Sequence, residues 1–173
     1  MARVTLYEGK FKKFVCVDGW EFVEGVNCSG IVVILAVTDD QKVILVEQYR
    51  IPVGNKVIEF PAGLANDFAV SHEESLSEAA RRELLEETGY QTDELTLVFE
   101  GPVSSASSSD ILSFFRARGL KKVAKGGGDH TESIVVHEVP LSAIDSWLSD
   151  QKKRGLIIDP RVYAGLYFLT KTQ

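Results

Sequence analysis

The stretch Arg82-Glu83-Leu84-Leu85-Glu86-Glu87-Thr88-Gly89 sets three carboxylates within five residues of a strongly helix-forming run. At about 100° per residue, Glu83 and Glu87 lie one turn apart on one helix face with Glu86 beside them. Extended backwards, that face reads Leu76, Ala80, Glu83, Glu87, a stripe that begins apolar, as a core-facing stripe should, and ends acidic. The spacing predicts a helix over residues 73–88, with Ser71 and Glu74 as a capping box and Gly89 as the C-terminal stop. Carboxylates at that end face the negative pole of the helix dipole, at roughly 0.3–1 kcal/mol each, so something must offset them. A hard divalent cation, which prefers carboxylates, waters and phosphate oxygens, is the simplest offset. The alternative is a solvated acidic face paired with Arg81 or Arg82; the inward stripe and the unfavourable dipole end favour the cation.

Around this helix the chain reads as an α/β protein. Residues 57–60 form a short strand stopped by Pro61, and Ala62-Gly63 follows as a place where backbone can approach a ligand closely. Residues 30–37 and 43–47 are β-branched runs separated by a five-residue turn, predicting a hairpin through the middle of a sheet. Residues 4–7, 14–17 and 20–22, with Asp18-Gly19 as a turn, predict an N-terminal β-ribbon. Strands are expected over 95–100, 111–117 and 133–139, with mobile loops at the serine-rich residues 104–109 and at Gly126-Gly127-Gly128. Helices follow over 142–152 and 160–169, the second with Asp159 as N-cap and Pro160 at its first position.

With 45% apolar and 25% charged residues, the 173-residue chain has the composition of a soluble globular protein. Its longest apolar run is far too short to span a bilayer. The N-terminus lacks a secretory pattern, and Cys16 and Cys28 have no metal-type spacing, which together predict a cytoplasmic protein with reduced thiols. A net charge of −6 disfavours extended nucleic acid as a partner and favours a small ligand.

Residues 63–90 resemble the Nudix box, whose pattern is Gly, five residues, Glu, seven residues, Arg-Glu-apolar-any-Glu-Glu-any-Gly-apolar. Glu74, Arg82, Glu83, Leu84, Glu86, Glu87 and Gly89 occupy their positions; the gap after Gly63 holds ten residues, and Tyr90 replaces the aliphatic residue. Val46-Glu47-Gln48-Tyr49-Arg50 and Glu59-Phe60-Pro61-Ala62-Gly63-Leu64 are similar to the ADP-ribose and nucleoside diphosphate sugar pyrophosphatase branch. The resemblance implies a Nudix α/β/α sandwich with a mixed sheet over residues 25–173, the ribbon 1–24 being a dimerisation arm. It implies Mg2+, or Mn2+ in its place, held by the Ala62 carbonyl, Glu83, Glu86 and Glu87. Glu74, Arg82, Gly63 and Gly89 then organise the motif, and Arg50 with Glu59 meets the diphosphate or its sugar. From spacing alone, a surface ion pair of Arg50 with Glu47 or Glu59 stands level with that reading, and the resemblance tips the balance to the diphosphate.

A general base must take the proton of the attacking water. Glu132, after the triple glycine, resembles the loop glutamate of ADP-ribose-cleaving relatives and is expected to act with Glu86; His130 is its rival. Asp110 is expected at the sugar end of the pocket, and Trp20 or Phe22, from a twofold partner, against the base. The expected reaction is hydrolysis of a nucleotide sugar such as ADP-ribose to a nucleoside monophosphate and a sugar phosphate. Removal of pyrophosphate from an RNA 5′ end, dinucleoside polyphosphate hydrolysis and a non-catalytic nucleotide-sugar sensor are the rival functions.

Overall fold

The computed structural model describes residues 2–26, 28–66, 74–128 and 133–171. Ser71 and Glu73 of the expected capping box and helix start, and His130 and Glu132, lie outside them.

Three strands, β1 (Arg3–Glu8), β2 (Lys12–Val17) and β3 (Trp20–Gly25), make the antiparallel N-terminal ribbon. Asp18 and Gly19, both at positive φ (50° and 86°), form the tight turn that closes the Val17–Trp20 pair. Two four-stranded sheets follow. One is ordered β7 (Ala62–Ala65), β4 (Gly30–Ala36), β9 (Ile111–Lys122), β8 (Tyr90–Pro102); the other β10 (Val135–Pro140), β5 (Lys42–Arg50), β6 (Asn55–Glu59), β11 (Ile157–Ile158). Both are mixed, with β4 parallel to β9 and β6 parallel to β11.

The helices are α1 (Leu76–Thr88), α2 (Ile144–Lys153) and α3 (Pro160–Thr170). They cover opposite faces. Val32, Ile34, Ala36, Ile44, Phe115 and Ala117 pack on Ala79, Ala80 and Leu84 of α1. Val33, Leu35, Val43, Leu45 and Phe114 pack on Ile144 and Leu148 of α2 and on Val162 and Leu166 of α3. Strands buried on both faces are continuously apolar, which is why β4 and β5 read as unbroken runs. The expected α/β/α arrangement is present.

The expected hairpin of residues 30–37 and 43–47 does not form within one sheet. After the Val37–Val43 bridge the two strands part, β4 joining one sheet and β5 the other. The loops expected to be mobile are docked. Val23 N donates to Ser107 O at 2.9 Å and Ser109 N to Val23 O at 3.1 Å, pinning the serine-rich loop to the ribbon. Gly127 N and Gly128 N donate to Glu87 O (2.8 Å) and Glu86 O (3.1 Å) at the end of α1. Asp159 caps α3 by accepting from Arg161 N, as expected. Cys16 and Cys28 are not joined in a disulfide, and the Cys28 thiol donates to Gly30 O at 3.2 Å. Among the described residues no helix is long and apolar enough to cross a membrane.

Candidate active site

Helix α1 starts later than expected. Ser75, not Ser71, is the N-cap, with Glu78 completing the capping box. Glu74 is therefore released from capping and instead faces Arg82, accepting from Nε at 2.9 Å and Nη2 at 3.2 Å. The same arginine donates to Leu64 O (2.9 Å), Glu83 Oε1 (2.8 Å) and Glu86 Oε2 (3.2 Å). The Arg82 hydrogen bonds hold Glu74 below the usual carboxylate range against its partial burial, and the Glu74 bond leads the contacts that raise Arg82 above its ordinary value. Asn66, which the sequence reading passed over, completes this junction. In the left-handed region at φ 63°, it accepts from Glu74 N at 2.6 Å and donates its backbone N–H to Glu74 Oε2 at 3.2 Å.

Strand β7 lies beside α1 because it pairs with β4, which forms the floor under the helix (Val33 opposite Ala62, Val32 opposite Gly63). Glu87 is buried and its Oε2 accepts from Ala62 N at 3.1 Å. Glu83 is buried against Gly63, so closely that a Cβ there would stand 1.9 Å from the Glu83 carboxyl carbon. Glu86 is half-exposed. Gly89, at φ 76°, caps the helix by donating to Leu85 O, and a Cβ on it would meet Ala124 O at 2.1 Å. No basic residue sits in the last turn; the amides of the glycine loop satisfy its carbonyls instead.

Arg50 and Glu59 form a second group. Glu59, buried, accepts from Arg50 Nε at 2.7 Å and from Arg161 Nη2 at 3.1 Å. Arg161, also absent from the sequence reading, is held by Asp159 at its Nε (2.8 Å) and by a further short bond at Nη2. Burial pushes the Asp159 carboxyl up, but the Arg161 bonds and charge outweigh it and hold it low.

A third group lies at the ribbon. Trp20 donates its indole N–H to Ala106 O at 3.0 Å, and with Phe22 it lines a hollow of about 220 Å³ against the serine-rich loop. Asp110 lines a neighbouring hollow of about 220 Å³, and its oxygens take Lys12 Nζ (2.6 Å) and Gly25 N (3.2 Å), fastening the ribbon to the start of β9.

Among the described residues no three His, Cys, Asp or Glu side chains already converge on one point as metal ligands. In kind, however, the donors at α1 suit a hard divalent cation. All are oxygens, Glu83 and Glu87 are buried on the sheet side of the helix, and the missing Cβ of Gly63 leaves the cradle in which the Glu83 carboxylate lies.

The NUDIX domain family matches residues 29–157, a span that begins after the ribbon and includes α1. The chain belongs to the Nudix family. As a Nudix hydrolase it has relatives of known name. An ADP-ribose pyrophosphatase of Bacillus subtilis is 36% identical over 119 residues; the match covers 68% of this chain and spans 62% of that enzyme. A GDP-mannose pyrophosphatase of Yersinia enterocolitica is 32% identical over 152 residues, covering 83% of this chain and 76% of the relative. The methanol dehydrogenase activator of Bacillus methanolicus is 29% identical over 130 residues, covering 75% and 68%. The crystal structure of an ADP compounds hydrolase shares the fold, with a TM-score of 0.70 at 22% identity, covering 98% of this Nudix hydrolase and 90% of that chain.

Proposed function

We propose that this Nudix hydrolase cleaves the diphosphate bond of a nucleoside diphosphate sugar such as ADP-ribose, releasing a nucleoside monophosphate and a sugar phosphate, with Mg2+ as cofactor and Mn2+ as a substitute. The observation that carries the reading is the pair of buried carboxylates, Glu83 and Glu87, pressed on the Ala62-Gly63 backbone with Glu86 at the open side. Isolated acidic helices expose their carboxylates; these are turned to the sheet. Relatives that cleave ADP-ribose and GDP-mannose supply the substrate class.

In this reading Glu83, Glu86, Glu87 and the Ala62 carbonyl hold the cation, which when bound neutralises the diphosphate and acidifies the attacking water. Arg82 keeps the Glu83 and Glu86 carboxylates in register, and Glu74 with Asn66 keeps Arg82 in place. Glu86, half-exposed, assists proton removal; Glu132, assigned from sequence, accepts the proton. Arg50 and Arg161, fixed on Glu59, turn their remaining N–H groups to the diphosphate or its sugar. Trp20 and Phe22 stack on the base across a twofold homodimer built on the ribbon. Asp110 serves as the pin of that ribbon.

The test is divalent-metal-dependent turnover of ADP-ribose, GDP-mannose and other nucleotide sugars, a diadenosine polyphosphate and triphosphorylated RNA, with Glu87→Gln and Glu132→Gln beside the wild type. Release of a nucleoside monophosphate from a nucleotide sugar, crippled in both variants, is expected. Binding without turnover under any divalent metal would replace the enzyme with a sensor, and preference for the RNA would replace the substrate class.

A further inference from the structure

A second cavity lies on the opposite face of the sheet from α1. Strands β4 and β9 run parallel and in register up to Ala36 opposite Ala117. There β4 leaves to cross toward the other sheet, while β9 continues to Lys122. The parting of the two parallel strands, just past the carboxyl end of β4, opens a hollow of about 310 Å³, walled by Leu141 and Leu169 and lined by Asp39, Gln41, Arg116 and Arg118. In open α/β sheets the crevice beyond the carboxyl ends of parallel strands, where connections diverge, is where ligands bind.

Arg116 and Arg118, two residues apart on one strand, face the same side as Leu112 and Phe114, the side of α3. Arg116 donates one terminal nitrogen to Phe168 O near the end of α3, and its buried Nε has no acceptor among the described residues. Neither arginine has a carboxylate within ion-pair distance among the described residues, although Glu94 stands opposite Arg118 across β8 and Asp39 is on the rim. A guanidinium pair short of acceptors recognises a phosphate, for which the arginine fork is shaped. Asp39 and Gln41, whose side chains make no hydrogen bond to another described residue, offer acceptors and donors suited to hydroxyl groups.

We propose that this cavity is a second ligand site, for a phosphate monoester of a polyhydroxylated molecule, its phosphate on Arg116 and Arg118 and its hydroxyls on Asp39 and Gln41. The site does not rest on the α1 chemistry and fills without a divalent metal.

The experiment is isothermal titration of the full chain in buffer containing a chelator, with ribose 5-phosphate, inorganic phosphate and ribose as probes. The proteins are wild type, Arg118→Gln, Arg116→Gln and Glu87→Gln. Saturable binding of ribose 5-phosphate, tighter than inorganic phosphate and absent for ribose, is expected in wild type and Glu87→Gln, and weaker by about tenfold or more in Arg118→Gln, an exposed position whose change leaves the fold intact. No saturable binding, binding untouched by both arginine changes, or binding lost only in Glu87→Gln would each overturn the proposal. Equal affinity for phosphate and ribose 5-phosphate would overturn its hydroxyl half.

Discussion

Replacing Gly63 by alanine adds one methyl group to the candidate active site and tests whether the Glu83 carboxylate must lie on the β7 backbone. Gly63 has no positive φ, so alanine fits its backbone conformation. The added Cβ, however, would fall 1.9 Å from the Glu83 carboxyl carbon and 2.0 Å from its Oε1, far inside contact distance. What yields is the end of a flexible side chain, not backbone, so the clash itself costs the fold only about 1 kcal/mol, to which the contacts the carboxylate gives up are added. The displaced carboxylate loses its 2.8 Å bond to Arg82, a charge-assisted bond of about 1.5–3 kcal/mol, and its place in the oxygen cradle. At about 1.4 kcal/mol per factor of ten, that is a loss of about 10- to 100-fold in kcat/KM. Gly165→Ala is the mirror control: its Cβ would stand 2.3 Å from the Phe60 ring and 2.5 Å from Leu35 in the core under α3, so stability should fall and turnover per folded molecule should hold. Both are read by thermal unfolding and initial rates. Wild-type kcat/KM in Gly63→Ala would refute the reasoning, since Glu83 would then be free to act from elsewhere.

Other perturbations follow from the same contacts. Mg2+ or Mn2+ should raise the Tm of the wild type and raise that of Glu83→Gln and Glu87→Gln much less; equal shifts in all three would place the cation away from α1. Gly126→Ala, at φ 70° with its Cβ 2.4 Å from the Thr88 carbonyl carbon, should destabilise by about 2 kcal/mol or more in denaturant melts, because backbone must move to admit it. The Glu74 carboxyl titrates below its unfolded value of about 4.3, so its stabilisation is fully present above that value and is lost as pH falls through its lower folded value. Glu74→Gln should therefore reduce stability at neutral pH and flatten the acid limb of a stability-pH curve; an unchanged acid limb would deny the Arg82 ion pair its part.

Much of this molecule was legible in its residues because local chemistry and tertiary packing agree. The apolar runs of β4 and β5, the Asp18-Gly19 turn and the Asp159-Pro160 helix start are decided by nearest neighbours and burial. The acidic stripe of α1 was visible because its apolar beginning shows which way the face looks. The start of α1 was not: Ser71 and Ser75 each precede a glutamate by three residues, and the later pair caps because Glu74 is drawn to Arg82 and Asn66. The parting of β4 from β5 depends on which sheet each strand joins, which no local pattern encodes. Arg161 meets Glu59 across 102 residues of chain, a distance over which a lone arginine on a helix carries no signal. Asn66 did carry one, as an asparagine in the long gap of the box, a residue type that readily adopts left-handed turns.

The glycine loop at the end of α1 has a consequence for the helix that carries the carboxylates. Its negative pole is quieted by peptide N–H groups of Gly127 and Gly128, and no lysine or arginine stands in the last turn. Peptide dipoles have no proton to lose at any pH the protein meets, bring no net charge, and offer no ammonium or guanidinium to compete with a metal for the same oxygens. A basic side chain in that position would have calmed the helix end and blunted the carboxylates together. By using backbone for the one task, the chain adds no further ammonium or guanidinium in the last turn to the one, Arg82, that already holds Glu83 and Glu86.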